Sequence, residues 1–198
     1  MRNPTPVDDS RLHPLIRERW SPRVFADRSV EPDVLRTLFE AARWAPSSYN
    51  DQPWSFIVAR RDDPAAFEKL LGCLVEANRK WARDAPVLAL SVARLEFRHN
   101  GKPNRHAYHD VGLATAQLVL QARALDVAVH QMAGFDVDKA RETYRIPEGH
   151  DPLTAIALGY DPESLPEDVR EKELKDRGRK PLEEVVFAGA WGTAAFSS

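Results

Sequence analysis

The chain has 198 residues, of which 43% are hydrophobic, and this length favours one domain with a substantial core. Its 28 basic and 30 acidic residues give a net charge of -2, which argues against a general nucleic-acid partner. No apolar run is long enough to span a bilayer, the first ten residues lack an apolar signal region, and the one cysteine, Cys73, leaves no internal disulfide. We therefore expect a soluble cytoplasmic protein with no membrane partner.

The first predicted elements are a loose lead-in and a short helix. Residues 1–11 are polar and contain prolines, and apolar residues between positions 12 and 16 indicate a helix that reaches about Arg19. Three arginines and a serine fall within residues 17–23. Arginine offers a planar fork of donors that suits phosphate. The alternative is a solvated charged turn, and for a generic pair of arginines that interpretation is the simpler one.

A strong helix is predicted over residues 29–44, with Pro32 suited to its first turn. Pro46 ends the helical pattern because a proline disfavours the helical conformation in the residue before it. Residues 47–51 are turn formers, and Gln52 and Pro53 lead into a predicted strand from Trp54 to Val58. Such a loop could simply satisfy its own turn, or it could present hydrogen bonds to a flat ligand rich in heteroatoms, such as a flavin ring.

The middle of the chain predicts a helix, a buried strand and a long loop. Asp63 is suited to cap a helix whose apolar stripe contains Phe67, Leu70, Leu71, Leu74 and Val75. Cys73 lies in that stripe, which predicts a buried, inert thiol. Residues 86–93 are almost continuously apolar, as in a strand covered on both faces. Residues 96–108 break every period and carry turn signals, which predicts a mobile loop.

Three histidines in and after that loop raise the question of a metal site. His106 and His109 are three residues apart, with Asp110 beside them, and His99 precedes them. The zinc-protease pattern HExxH is absent and no cysteine pair supports a zinc site. We therefore expect surface or pocket histidines and no metal.

Residues 109–124 predict a helix that is apolar almost all round, which implies burial on every side at the centre of the fold or at an oligomer interface. A short strand over residues 127–132 follows. Gly134, at its exit, removes a side chain where a ligand could approach the backbone. Residues 153–160 predict the last clear strand, and residues 163–180 a charged surface segment.

Four motifs in this order resemble the FMN-dependent nitroreductase family. Pro46 to Trp54, PSSYNDQPW, is similar to the family's PSSxNxQPW loop, with eight specified positions in register. The spacing from Arg19 to Phe25 resembles the family's RxSxRxF element, Met132 to Phe135 its xxGGF or MxGF turn, and Arg177 to Phe187 its RKPLEEVV stretch. The resemblance spans roughly Leu15 to Trp191, and the strand that ends in Gly159-Tyr160 fits it as well.

The resemblance implies the cofactor FMN and assigns residues to it. In the family, the arginine element binds the FMN phosphate, the ribityl oxygens and the polar edge of the ring. The Ser and Asn of the loop contact the flavin, the glycine turn supplies backbone groups near flavin N5, and the late basic side chains reach the phosphate. The implied cofactor-binding residues are Arg19, Trp20, Ser21, Arg23, Pro46, Ser47, Ser48, Asn50, Gln52, Met132, Ala133, Gly134, Arg177 and Arg179.

The same resemblance implies a substrate pocket bordered by the loop after residue 95. Phe97, Arg98, His106 and Tyr108 are the candidates for substrate contact. The chemistry resides in the flavin, so no protein nucleophile or general base is assigned.

The fold class implied is α+β: a mixed, mainly antiparallel sheet flanked by helices, built as an intertwined homodimer with FMN in the cleft between subunits. One domain covers residues 1–198, and a C-terminal tail from about residue 181 wraps the partner. The implied function is reduction of a small acceptor, such as a nitroaromatic or a quinone, by NADH or NADPH. Two alternatives remain: the same FMN site used for dehalogenation, flavin fragmentation or ring dehydrogenation, and a non-catalytic FMN-binding protein.

Overall fold

A computed structural model describes residues 11–165, 167, 169 and 178–196. The chain divides into two compact units, residues 1–164 and residues 165–198. No helix within the described ranges is long and apolar enough to cross a membrane. A single domain over residues 1–198, with a lead-in and a tail that wraps a partner, stays a prediction.

The first unit alternates helices with strands. Its helices are α1 (Pro14–Arg17), α2 (Pro32–Arg43), α3 (Pro64–Leu71), α4 (Glu76–Ala82), α5 (Ala107–Ala124) and α6 (Val137–Tyr144). Its strands are β1 (Trp54–Arg60), β2 (Val87–Arg94), β3 (Val127–Met132) and β4 (His150–Tyr160). A short 3₁₀ turn, Ser48–Asn50, lies between α2 and β1.

The four strands form one sheet in the order β1-β2-β4-β3, and each neighbouring pair is antiparallel. Leu90 of β2 lies opposite Ile57 of β1 and Ala155 of β4, and Ala155 lies opposite Met132 of β3. These pairings confirm the α+β class and the mainly antiparallel sheet. No parallel pairing occurs among the described strands, so the predicted mixed character is absent from this part of the chain.

Helices cover both faces of the sheet. Leu88 and Leu90 of β2 belong to one core cluster, which includes Leu70 of α3 and residues of α4 and α6. Val87 and Ala89 belong to a second cluster with Leu38 of α2 and Leu118 of α5. This placement confirms the prediction that the continuous apolar run of β2 is buried on both sides.

Two helix predictions differ from the structure in their bounds. Helix α2 begins at Pro32 rather than residue 29, because Glu31 before the proline is extended, with φ -63° and ψ 144°. The stripe predicted as one helix is interrupted after Leu71, where Gly72 caps α3. Leu74 then forms an isolated β-bridge with Phe135, and α4 begins at Glu76. Asp63 does cap α3, and Cys73 is buried as predicted.

Helix α5 runs through the second core cluster but is not buried all round. The side chains of Val111, Ala114, Leu118 and Ala122 are buried. The residues at helical spacing on another face are exposed within this chain: His109, Gly112, Ala116, Leu120 and Ala124. The single chain therefore leaves this face of α5 uncovered by the described residues, and its burial at an oligomer interface stays a prediction.

The described part of the second unit is a short hairpin that follows a 3₁₀ turn at Leu182–Glu184. Phe187 and Ala194 form a β-bridge, and the rings of Phe187 and Trp191 lie 5.0 Å apart. Trp191 is nevertheless almost fully exposed.

Candidate functional site

The loop between α2 and β1 holds an unusual backbone. Tyr49, Asn50 and Gln52 have φ angles of 54°, 51° and 50°, in the left-handed region that residues other than glycine seldom adopt. Each such residue costs on the order of 1–3 kcal/mol and persists only where its surroundings hold it. Three of them within four positions indicate a loop whose shape is fixed by the rest of the fold.

Two buried carboxylates fix this loop. Asp110 of α5 accepts a hydrogen bond from the Ser48 backbone N–H at 3.1 Å. Asp51 is paired with Arg94, at 2.5 Å, and accepts the backbone N–H of Arg98 at 2.8 Å. Both carboxylates are almost fully buried, so these charge-assisted bonds form away from water and are correspondingly strong.

The polar side chains of the loop are only partly used within it. The Ser47 hydroxyl accepts the Gln52 backbone N–H at 2.9 Å, and the Gln52 amide donates to the Asn50 carbonyl at 3.1 Å. The Asn50 side chain is exposed and makes no hydrogen bond in the described part of the chain. The loop therefore offers hydroxyl and amide groups of both donor and acceptor type in one fixed arrangement.

The arginine element lies beside the C-terminal half of α5. Arg19 donates to the Ser21 hydroxyl at 3.3 Å. Together they border a cleft of about 290 Å³. The remaining lining residues come from α1, α5 and β3: Ile16, Ala116, Val119, Leu120, Val129 and Gln131. The cleft thus combines a guanidinium, a hydroxyl and an amide with apolar walls.

Trp20 anchors the arginine element rather than lining that cleft. Its indole is buried, and the indole N–H lies 3.5 Å from Asp161, which also pairs with Arg123 at 3.3 Å. Burial raises the pKa of Asp161 above its usual 3.8, and the charge of Arg123 opposes that rise. The indole is thus held within the protein, and the predicted role of Trp20 toward a cofactor stays a prediction.

Two further contacts hold the same segment. The Pro22 carbonyl lies 2.9 Å from the Nδ1 atom of His130, whose ring packs 4.6 Å from that of Trp81. Phe25 is buried in the first core cluster. Arg23, half-buried between these anchors, is therefore carried on a segment attached to the core on both sides.

The turn after β3 is shaped by packing against α4. A Cβ atom on Gly134 would lie 2.5 Å from the Asn78 amide nitrogen and 2.9 Å from Val75. The Gly134 carbonyl also accepts the Asn78 amide N–H at 2.9 Å. A side chain at position 134 would therefore displace Asn78 and Val75, a packing reason for glycine that the sequence-based argument for ligand approach did not include. Met132 is buried and Ala133 is exposed.

Of the candidate substrate residues, Phe97 lies beside the loop, whereas Tyr108 and His106 have other contacts. The Phe97 ring contacts that of Tyr49 at 5.6 Å, which places it beside the loop. Tyr108 instead donates to Asp151, and this hydrogen bond raises the pKa of Tyr108. His106 is exposed, and its backbone N–H donates to the Asn104 side chain at 3.0 Å.

The predicted cofactor residues form two groups along α5. The loop meets the helix at Asp110, whereas the arginine element meets it between Ala116 and Leu120. With a rise of about 1.5 Å per residue, these positions are about 9–15 Å apart along the axis.

Arg177 lies outside the described residues. Arg179, in the second unit, is exposed and donates to the Gly178 carbonyl at 2.8 Å.

Comparison with known proteins identifies the family. The family model described as "Nitroreductase family" matches residues 16–160. An uncharacterized 15.4 kDa protein of Mycolicibacterium smegmatis is 34% identical over 146 residues, which cover 69% of this chain and 97% of that protein. A Ralstonia nicotianae protein named "Putative NADH dehydrogenase/NAD(P)H nitroreductase" is 27% identical over 173 residues, which cover 78% of this chain and 87% of that protein.

A solved structure agrees with the family model. The crystal structure of an "oxidoreductase containing FMN" has a TM-score of 0.86 and 33% identity, and the match covers 96% of this chain and 98% of that one. The resemblance drawn from the four motifs is thereby confirmed at the level of fold and family. The chain belongs to the nitroreductase family of oxidoreductases.

Proposed function

We propose that the protein binds FMN and uses NADH or NADPH to reduce a small acceptor such as a nitroaromatic or a quinone. The observation that carries this proposal is the loop from Ser47 to Gln52. Its backbone is held in three left-handed conformations by Asp51 and Asp110, while the Asn50 amide stays exposed. A strained and anchored polar loop fits a preorganised ligand site better than a solvated turn.

The arginine element fits the remaining parts of FMN. Arg19 and Ser21 supply charged and neutral donors of the kind that bind phosphate, and Gln131 adds an amide. Ile16 and Leu120 supply apolar surface for a ring. Bound FMN would supply the hydride and electron transfer between nicotinamide and acceptor. The chain's own residues would bind it, orient it and place positive charge near its polar edge.

We further propose that the protein acts as a homodimer in the cytoplasm. The loop and the arginine element are separated along α5 within one chain, so one flat cofactor would meet both groups most readily where two chains join. The exposed face of α5 offers small residues, Gly112 and Ala116, followed by Leu120. Such a face permits close approach of a second helix, and a dimer of this kind buries on the order of 2,000 Å² or more. A cytoplasmic location fits the single, buried Cys73.

The visible spectrum of the freshly purified protein is the first test. We expect a yellow protein that releases FMN on denaturation and that oxidises NADH or NADPH steadily when menadione is supplied. Steady turnover distinguishes an enzyme from a flavin carrier. A colourless protein that takes up no added FMN would contradict the proposal, and a yellow protein without turnover would favour the carrier.

A further inference from the structure

A short segment beside the loop carries three exposed cationic side chains close together. We call residues 96–106 the basic turn. It contains Arg98, Lys102 and Arg105, together with two histidines, against one acidic residue, Glu96. The three cationic side chains are exposed, and none has an ion-pair partner among the described residues. In a chain with a net charge of -2, this concentration is local.

The backbone of the basic turn is closed by its own bonds. Glu96 and Pro103 form a β-bridge, and the Phe97 N–H donates to the Lys102 carbonyl at 2.9 Å. Gly101, with φ 68°, provides the reversal. The cations are therefore held within one compact turn. Their side chains take no part in the bonds that form it, because the bonds of Arg98 and Lys102 use backbone N–H groups.

The basic turn is attached directly to the candidate site. Asp51, the residue after Asn50, accepts the Arg98 backbone N–H at 2.8 Å. The Tyr49 ring lies 5.6 Å from Phe97 and 5.3 Å from His99, and those two rings lie 5.3 Å apart. Tyr49 and His99 are exposed, so an aromatic surface borders both the loop and the cations.

Unpaired cations next to exposed rings match a ligand with a phosphate close to an aromatic base. Of the two nicotinamide reductants, only NADPH has a phosphate on the adenosine ribose, at the end of the dinucleotide remote from the nicotinamide. We propose that the basic turn, with Tyr49, Phe97 and His99, binds the adenosine 2′-phosphate end of NADPH and selects NADPH over NADH. This inference rests on the proposed function. An acceptor with its own carboxylate or phosphate has the same chemistry, and the experiment must distinguish the two.

A triple variant, Arg98→Gln with Lys102→Gln and Arg105→Gln, removes the charge and keeps the backbone bonds. The matched control is Arg36→Gln with Lys80→Gln and Arg83→Gln, which removes three exposed cations of α2, α4 and the α4 C-cap. Calorimetric titration with 2′,5′-ADP and with 5′-AMP measures how much the 2′-phosphate contributes to binding affinity, and it needs no turnover. We expect the wild type and the control to bind 2′,5′-ADP more tightly than 5′-AMP, and the triple variant to lose about tenfold for 2′,5′-ADP only. The difference should shrink at high salt.

Steady-state kinetics then identifies the source of the anion. The triple variant should lower kcat/KM about tenfold with NADPH, change it little with NADH, and leave the KM for a neutral quinone unchanged. Equal binding of 2′,5′-ADP and 5′-AMP by the wild type would overturn the inference. So would a loss confined to a carboxylated acceptor. A yellow, active enzyme with no preference for NADPH contradicts only this inference, whereas a protein that binds no FMN contradicts the proposed function itself.

Discussion

Asp51 and Arg94 form an ion pair across 43 residues of sequence, with 2.5 Å between Oδ2 and Nη2. The Asp51 side chain is 2% exposed and that of Arg94 is 18% exposed. The second Asp51 oxygen accepts the backbone N–H of Arg98. One carboxylate therefore joins the candidate cofactor loop, the end of β2 and the basic turn.

Asp51→Ala should be among the most destabilising single changes in the loop. Removing one partner of a buried ion pair leaves the other charge uncompensated, which costs about 3–5 kcal/mol. Urea unfolding measures the loss. The control is Asp62→Ala: the Asp62 side chain is 54% exposed beside Arg60, and its loss should cost no more than about 1 kcal/mol. Equal effects of the two changes would show that Asp51 does not hold the loop.

The sequence predicts the strands and the caps because those depend on local pattern. The apolar run of β2 and the cap at Asp63 both need only their own neighbours along the chain. The ion pair of Asp51 with Arg94 and the hydrogen bond of Asp110 with Ser48 could not be predicted, because these partners lie 43 and 62 residues apart in sequence. Asp51 reads as a turn former, and Asp110 as a polar residue at the start of an apolar helix. The one available signal was a charged residue, Arg94, at the end of a buried strand.

The interrupted helix between Asp63 and Ala82 has the same cause. Phe67, Leu70, Leu71 and Leu74 follow helical spacing, and all four are buried. The helix nevertheless ends before Gly72, and Leu74 forms a β-bridge with Phe135, which follows β3 in the chain. A long-range backbone bridge has overridden a local pattern, and nothing in the spacing of apolar residues reports it.

Asp161→Asn should change how stability depends on pH. Burial raises the folded-state pKa of Asp161 above 3.8, so the carboxyl binds its proton more tightly in the folded state. The stability that this provides is complete below about 3.8 and is lost as the pH rises through the folded-state pKa. The free energy of unfolding of the wild type, measured relative to the variant, should therefore fall as the pH rises above about 3.8.

Glu40 provides the control of opposite sign. Its hydrogen bond with Arg43 lowers the pKa of Glu40 to about 2 from the usual 4.5. A lowered pKa stabilises the fold above the unfolded-state value, and that stability is lost as the pH falls through the folded-state value. The wild type should therefore lose stability relative to Glu40→Gln as the pH falls below about 4.5, by a small amount because the pair is exposed. Slopes of the same sign for the two residues would contradict one of the two assignments.

Arg19→Ala should weaken FMN through its phosphate. Hydrogen bonds to charged groups contribute about 1.5–3 kcal/mol each, so the loss should be roughly tenfold to a hundredfold. Riboflavin has the ring but no phosphate, and its affinity should change less. Fluorescence titration of the apoprotein with each ligand measures both, and Lys80→Ala on α4 is the control. Equal losses for the two ligands would mean that Arg19 does not bind the phosphate.

Ala116→Arg should separate the proposed dimer. Ala116 is exposed on α5 and lines the cleft with Arg19, so an arginine there would place a long charged side chain between two closely approaching helices. Because none of the described residues covers the Ala116 side chain, the substitution should leave the fold of the single chain intact. Light scattering should therefore show a folded monomer with weakened FMN binding.

Ala65→Arg is the matched control, because Ala65 is also an exposed helical alanine, on α3 and away from the cleft. It should remain a dimer with normal FMN affinity. The two variants add the same side chain to the same residue type, so a difference between them reports the position and not the charge. If α5 lies at the interface, dimerisation and FMN binding should be lost together in Ala116→Arg, since the loop of one copy would no longer meet the arginine element of the other. A variant that stays a flavin-loaded dimer would exclude this face of α5 from the interface.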